Sequence, residues 1–448
     1  MSQMIQAILI AIMLIYSPLV AGGKSINTLL FLEIIGSLLL GLVLWQKNYK
    51  GSLNTLTGCA LLFGLMIPIV YLIPLPESWW LALPERASYL SSLHIYQEQT
   101  STLPWLSMSL VPEKTVHACL ALIPLVAAFL SVVGLNKNLQ QYLVYLLIGI
   151  TTLQSIFGII QYSTQSIIWT ARPEITITAD AMGTYINRDH FVALLYLTLP
   201  LVMGLFIHHL YATNDKKTAQ HEYFITSSAV VQRIVFVIII LLLLIAAAFS
   251  RSRAGIFLII LGFFLCFMLF ARQLSKKSGA GLASFIIILS IGVISTVGLI
   301  PILNRFIAAD PFEDARWEFF RSISDGIVQF FPTGTGPSTF QEIFRTIQPV
   351  EQLNFLNHAH NDYLELLFET GILGALFIGL FFASYLYGWL AIRKYAWGLE
   401  RFLKAGAGIS ILLILLHAVL DFNFHTPANA LVAAFLLGIF LGTKKPAN

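Results

Sequence analysis

The sequence predicts an all-α polytopic membrane protein of about twelve transmembrane helices, folded as one integral membrane domain over residues 1–448. Two observations predict it. Hydrophobic residues make up 57% of the chain and charged residues only 11%, where a soluble domain carries roughly 25% charged residues. That much apolar side chain does not fit inside a water-facing core, so lipid must solvate much of it. The apolar residues also fall into runs of the right length, since about 20 of them carry a helix across a bilayer. Such runs lie at 4–20, 28–45, 56–73, 115–134, 142–160, 190–208, 233–249, 254–271, 282–300, 370–391, 405–420 and 428–442.

Taken in order, the first run follows Met-Ser-Gln with no basic stretch before it. This predicts a retained anchor rather than a cleaved signal. Cys59, Cys119 and Cys266 each lie in an apolar stretch without metal-ligand spacing and read as small hydrophobes. Almost nothing separates the runs that flank Arg251 and Arg253, which predicts a short hairpin. Three connections are long: 74–114, 161–188 and 301–363. The first is rich in Trp and Pro (Trp79, Trp80, Trp105) and is expected to lie on the lipid headgroups. The third joins the ninth and tenth helices and has the densest polar content. It contains Gly334-Thr335-Gly336-Pro337, a turn signal.

Basic residues set the orientation. With both termini in the cytoplasm, 15 of the 26 basic residues fall inside, and 11 of those 15 are lysines. The other side keeps only Lys24 and Lys114 as lysines. Its nine arginines are Arg86, Arg172, Arg188, Arg251, Arg253, Arg305, Arg316, Arg321 and Arg345. All three long connections are on this outer side. Lysines there are scarce, as topology requires; the arginines need another reason. A planar guanidinium binds phosphate bidentately and tolerates partial burial better than an ammonium. Pairing with nearby Asp or Glu is the competing explanation for each arginine.

Several polar constellations stand where membrane helices begin. The richest runs from His358-Ala359-His360-Asn361-Asp362-Tyr363 through Glu365 to Glu369. Dehydrating so many polar groups is costly, and a histidine among them can take a proton near neutral pH. A helix cap with interfacial polar residues is the plainer alternative. His358, His360 and Asp362 alternate, but no further Cys or His cluster completes a tetrahedral set, so no metal site is expected. Ser250-Arg251-Ser252-Arg253-Ala254-Gly255 places two arginines between apolar runs, which is expensive unless an anion meets them or they snorkel. Asn187-Arg188-Asp189-His190 holds a pair that can neutralise itself. Arg316 and Arg321 sit among acidic residues, with Glu313 three residues before Arg316 as its default partner. Asp421 either orients a distant histidine or caps its own turn.

No phosphate-binding loop, dinucleotide fingerprint, zinc-protease motif or nucleophile elbow is present. No nucleic-acid partner is expected. A transporter would place ionisable groups near the bilayer midplane, yet the apolar runs are nearly bare of them, Glu33 being the main exception.

At these residues the chain resembles the O-antigen ligase family of bacterial envelope glycan ligases and polymerases. The matching pieces are Gly183-Thr184-Tyr185-Ile186-Asn187-Arg188-Asp189-His190-Phe191, Ser252-Arg253-Ala254-Gly255, Gly334-Thr335-Gly336 with Phe340, His358-Ala359-His360-Asn361-Asp362-Tyr363-Leu364, and Asp421-Phe422-Asn423-Phe424-His425 with Pro427-Ala428-Asn429-Ala430. The likeness covers about residues 100–442. Asp189 departs from the pattern, standing where the family has Asn, which argues against a catalytic role for it.

The resemblance implies a fold related to membrane-embedded C-type glycosyltransferases. It implies transfer of a glycan from an undecaprenyl diphosphate carrier, in the inner membrane, to an acceptor on the periplasmic face, with no cofactor, nucleotide or metal. His360 is then the catalytic histidine, and Arg253 and Arg316 are the diphosphate ligands, with Arg251 and Arg188 beside them. Asn187, Asn361, Tyr363, His358 and Asp421 are supporting residues. Three acceptors compete: lipid A–core (a ligase), a second lipid-linked repeat (a polymerase), and a protein Ser or Thr (an oligosaccharyltransferase). The expected absence of a large soluble C-terminal domain favours the first two. A transporter and a non-catalytic envelope scaffold are the remaining alternatives.

Overall fold

A computed structural model describes residues 2–100, 106–165, 180–213, 222–274, 315–350, 352 and 355–443. Among them are fifteen α-helices and no strand. They are α1 (Ser2–Leu19), α2 (Ile26–Gln46), α3 (Thr55–Tyr71), α4 (Glu77–Leu81), α5 (Leu90–Thr100), α6 (Pro112–Gly134), α7 (Lys137–Thr164), α8 (Arg188–Thr213), α9 (Glu222–Ser250), α10 (Arg253–Phe270), α11 (Ala315–Phe330), α12 (Phe340–Ile347), α13 (Asp362–Ile392), α14 (Leu399–His417) and α15 (Pro427–Leu441). Eight of these (α1, α2, α6–α10 and α13) are long and apolar enough to cross a membrane. The chain is a membrane-integral, all-α protein. The apolar runs expected from the sequence coincide with helices, except 282–300, which lies outside the described residues.

Short polar side chains start many of these helices. Ser25, Asn54, Asn136 and Ser252 each accept an N–H of the first turn that has no intrahelical partner. Helix α8 is buried along its apolar length and packs against α7, α9, α10 and α14. Its contact with α14 is close because a Cβ on Gly406 would lie 2.7 Å from the Pro200 carbonyl oxygen. Helix α14 also separates two polar ends. Its Glu400 pairs with Lys137 at one end. His417 lies at the other, ~26 Å away at 1.5 Å per residue.

At the His417 end a second, smaller apolar core forms. Ile323 and Phe330 of α11, Phe340, Ile343 and Phe344 of α12, Ala359, and Phe368 of α13 bury one another. This core depends on a break in α13. At Gly371 the backbone leaves helical geometry (φ 50°, ψ −127°). The Phe368 and Glu369 carbonyls then accept the N–H groups of Thr335 (3.2 Å) and Gly336 (2.7 Å), and the Ile372 N–H donates to the Pro332 carbonyl (2.9 Å). Non-helical backbone at membrane depth persists only where protein satisfies it in this way. The Glu369 carboxylate completes the joint by accepting the N–H groups of Ser338 (2.8 Å) and Phe340 (2.9 Å), which caps α12.

The 74–114 connection also packs into the protein. Trp79 is exposed, but Trp80 is buried and donates its indole N–H to the Ser107 carbonyl (2.9 Å). Arg86 is fully buried, stacks on Trp80, and donates to the Met108 carbonyl (2.6 Å) and the Gly334 carbonyl (3.4 Å). Burial pulls its pKa down to about 10. This arginine ties the connection to the Gly334 turn. Trp105 lies outside the described residues.

Two alanine substitutions in α13 test the break. A Cβ on Gly371 would lie 2.0 Å from the Pro332 carbonyl oxygen in a left-handed conformation, while one on Gly379 meets nothing within 4 Å. Gly371→Ala should cost about 1–3 kcal/mol or more and lower the melting temperature of the detergent-solubilised protein. Gly379→Ala should leave it unchanged or raise it.

Candidate active site

The site grows from Ala359. Its methyl is buried in the small core, and its N–H donates to Glu365 Oε2 (2.7 Å). Pinning this residue presents His358 and His360 on either side of it. His360 takes a left-handed backbone (φ 51°), which is uncommon for a residue with a Cβ and marks a position its surroundings over-determine. Asn361 then caps α13 by accepting the N–H groups of Tyr363 and Leu364, both at 3.0 Å.

Asp421 follows the end of α14 and is buried. Its Oδ1 stands 3.6 Å from His360 Nδ1 and its Oδ2 3.8 Å from Nε2 of the buried His190. Oδ1 also accepts the Phe422 N–H (2.9 Å). Burial opposes its charge, yet His360, His190, His417 and that N–H outweigh the penalty and hold the carboxyl below the usual carboxylate range. Asp421 thus steadies its own turn and also faces histidines from two other segments. His190 is fixed from behind, since its Nδ1 meets the Thr426 hydroxyl at 3.0 Å and its carbonyl accepts from Asn429 at 3.0 Å.

Phe422 fills the centre. His358 stacks on it with ring centroids 4.5 Å apart, and His360 and His190 meet it edge-on at 4.9 Å each. Lys24, from the turn between α1 and α2, holds its ammonium 4.8 Å from the same ring centroid. Behind the ring, His358 Nδ1 bonds Glu365 Oε1 (2.9 Å). His425 Nε2 lies 3.3 Å from that oxygen and 3.5 Å from Asp362 Oδ1. Burial lowers His425 to about 4, against the pull of Glu365. His358, Glu365 and His425 offer ligand atoms within 4.8 Å of one another, a set able to hold a metal ion. It differs from the alternating set considered in the sequence.

The remaining segments join through Asp189. Its carboxylate accepts the Ser252 hydroxyl (2.5 Å), and Ser252 in turn caps α10 through the Gly255 N–H (3.0 Å). Arg253, exposed, is the first residue of α10. The residue that departs from the family pattern thus couples the His190 and Arg253 segments. Asn187 caps α8 by accepting the Asp189 N–H (2.7 Å). The Tyr363 hydroxyl donates to the Leu415 carbonyl (2.9 Å).

The arginines separate into groups. Arg188 pairs with Asp180 at 2.5 Å, and Arg251 approaches the other oxygen of Asp180 at 3.6 Å while stacking on Tyr162. Arg321 is exposed on α11, and Arg345 lies over the Phe355 ring. Arg316 belongs to α11, but its side chain lies outside the described residues, as do Glu313, Arg172 and Arg305 entirely.

The structure thus brings His358, His360, Asp421 and the segments of Arg188 and Arg253 to one end of the bundle. Residues 238–379 match the family described as O-antigen ligase. Over this segment, about a third of the chain, the sequence is similar to the O-antigen ligase family. No curated protein matches the chain. The family consists of glycan-transferring ligases and polymerases, which act on lipid-linked glycans and their acceptors. The O-antigen ligase segment contains Ser252–Arg253, His358–His360 and the α13 break. Asp421, His190 and Lys24 come from outside it. Sequence reasoning assigned no role to His190, Glu365, Phe422 or Lys24. For Lys24 the available signal was its place among outer residues otherwise almost free of lysine, directly after Gly22-Gly23.

Removing the Ser252 hydroxyl deletes a helix cap and a hydrogen bond to Asp189 together. Ser252→Ala should cost about 0.5–2 kcal/mol, read as a lower melting temperature, and Ser252→Thr should recover most of it.

Proposed function

We propose that this protein is a periplasm-facing glycan transferase of the inner membrane. It moves a glycan from undecaprenyl diphosphate to an acceptor, most specifically as an O-antigen ligase acting on lipid A–core. The observation that carries this reading is the meeting of His360 and Asp421, beside His190 and the Ser252–Arg253 cap, at one end of an apolar helix bundle. Lysine sorting supports the orientation, with both termini in the cytoplasm.

The chemistry follows from the side chains. Asp421 faces Nδ1 of His360. It favours the tautomer with the proton on Nδ1, which leaves Nε2 as the base. Nε2 takes the proton of an acceptor hydroxyl as that oxygen forms a bond to the anomeric carbon. The bond from that carbon to the diphosphate oxygen breaks, and the electron pair leaves on the diphosphate. A single displacement inverts the anomeric centre. Arg253 and Arg316 meet the charge that builds on the leaving group. Arg188 and Arg251 reach it only by giving up Asp180. No step calls on a metal, and the Glu365 cluster acts as a hydrogen-bonded brace.

Reconstitution with a purified lipid-linked glycan tests this. Wild-type protein should transfer the glycan, and His360→Ala and Arg253→Ala should abolish detectable transfer at normal expression. Asp421→Asn should reduce turnover ~10²–10⁴-fold, the range of a general-base contribution. Full activity in Arg253→Lys rules out bidentate diphosphate binding. Strong inhibition by a chelator would instead make the His358, Glu365 and His425 set a metal centre. Offering lipid A–core, a second lipid-linked repeat or a peptide in turn identifies the acceptor.

A further inference from the structure

We infer that Lys24 binds the donor, its ammonium taking a phosphate of the lipid diphosphate beside His360. This rests on the reading of the site as a lipid-diphosphate transferase.

Lys24 is a cation without an ordinary partner. Of the two lysines on the outer side, Lys114 is ion-paired with Glu342 at 2.7 Å. Lys24 has no carboxylate oxygen within 4.0 Å among the described residues. Its ammonium sits on Phe422, the ring that also contacts His358, His360 and His190. Asp421 is the acidic group whose charge it feels, and that carboxylate already faces two imidazoles. A half-buried cation over a ring, with its nearest counter-charge shared, is stabilised by an incoming anion.

The turn before Lys24 is built to hold it there. Ala21, Gly22 and Gly23 take φ of 55°, 67° and 88° in succession. A Cβ on Gly22 would stand 2.7 Å from the Tyr185 ring, and one on Gly23 would stand 2.9 Å from Pro427 Cβ. Tyr185 precedes α8 and Pro427 opens α15, so the turn is clamped between two segments of the site. An interfacial lysine that only snorkels to water requires no such clamp. Burial also lowers Lys24 to about 8, with Asp421 opposing. The ammonium is therefore charged at pH 7 and loses its proton as pH rises through about 8. The titratable groups facing it are Asp421, His190 and His425.

Binding of farnesyl diphosphate to the purified full chain in detergent tests the inference separately from turnover. Wild-type protein should bind it, and Lys24→Met should weaken binding about 10-fold or more, the scale of one charge-assisted hydrogen bond. Lys24→Arg should stay within a few-fold of wild type, and Lys114→Met should not change affinity. Wild-type affinity should fall between pH 7 and pH 9, while that of Lys24→Arg stays flat. If wild type binds and Lys24→Met binds equally well, Lys24 has no such role and the donor reading stands. If Lys24→Met does not fold, the comparison of wild type with Lys24→Arg at pH 9 decides, and matching affinities overturn the inference. Absence of wild-type binding to farnesyl diphosphate and to the lipid-linked glycan overturns the donor reading and this inference with it.

Discussion

A carboxylate removed from water has to be met by protons or cations, and Asp421 imposes that requirement on one end of the bundle. Its two oxygens face imidazoles delivered by different segments, His190 at the start of α8 and His360 just before α13. Each histidine is independently fixed, the first by Thr426 and Asn429 and the second by the buried Ala359 next to it. The carboxylate therefore sits where three helix ends meet, each already narrowly set. In the reaction proposed above, this contact biases the His360 tautomer before any acceptor arrives, and proton transfer from a weak nucleophile needs such preorganisation.

The broken helix supplies the rigidity behind this. An unbroken α13 would leave the Thr335 and Gly336 N–H groups without the Phe368 and Glu369 carbonyls. A break without that turn would expose the Phe368 and Glu369 carbonyls in an apolar setting. Joined, each satisfies the other. The Glu369 carboxylate adds a cap to α12, whose phenylalanines in turn bury Phe368. Arg86 closes the joint from the 74–114 side through the Gly334 carbonyl. The small core under Ala359 is thus held by backbone bonds as much as by apolar contact, and the left-handed His360 next to it inherits that constraint.

The membrane helices were legible because lipid imposes a length and a composition. The α13 boundary shows the limit. The apolar run begins at 370, but the helix begins at Asp362, and the break at Gly371 falls where the run starts. Residues 364–369 fell in neither the connection nor the apolar run, yet with Asp362 and Tyr363 they form two helical turns packed on the end core. Candidate site residues were legible as polar groups at helix starts, where dehydration needs a reason. Their pairing was not, because the contact of Asp421 with His360 and His190 joins segments remote in the chain and leaves no local pattern. Asp189 is the instructive case. Reading it as a departure from a family pattern removed it from the site, while its hydrogen bond to Ser252 makes it the link between two site segments.

Three of the arginines at this end of the bundle have a physical account that precedes any ligand. Irregular backbone near a dry boundary leaves carbonyls to satisfy, and buried carboxylates need cations that stay charged. A guanidinium serves both, with five donors in a planar fork and a charge that survives burial. Arg86 spends its donors on carbonyls, and Arg188 and Arg251 spend theirs on Asp180. Charge and location alone therefore do not separate a ligand-binding cation from a structural one. The distinguishing feature is whether its donors are already engaged by the fold. By that criterion the ammonium over Phe422, held by a strained turn and bonded to no carboxylate among the described residues, stands apart from the arginines around it.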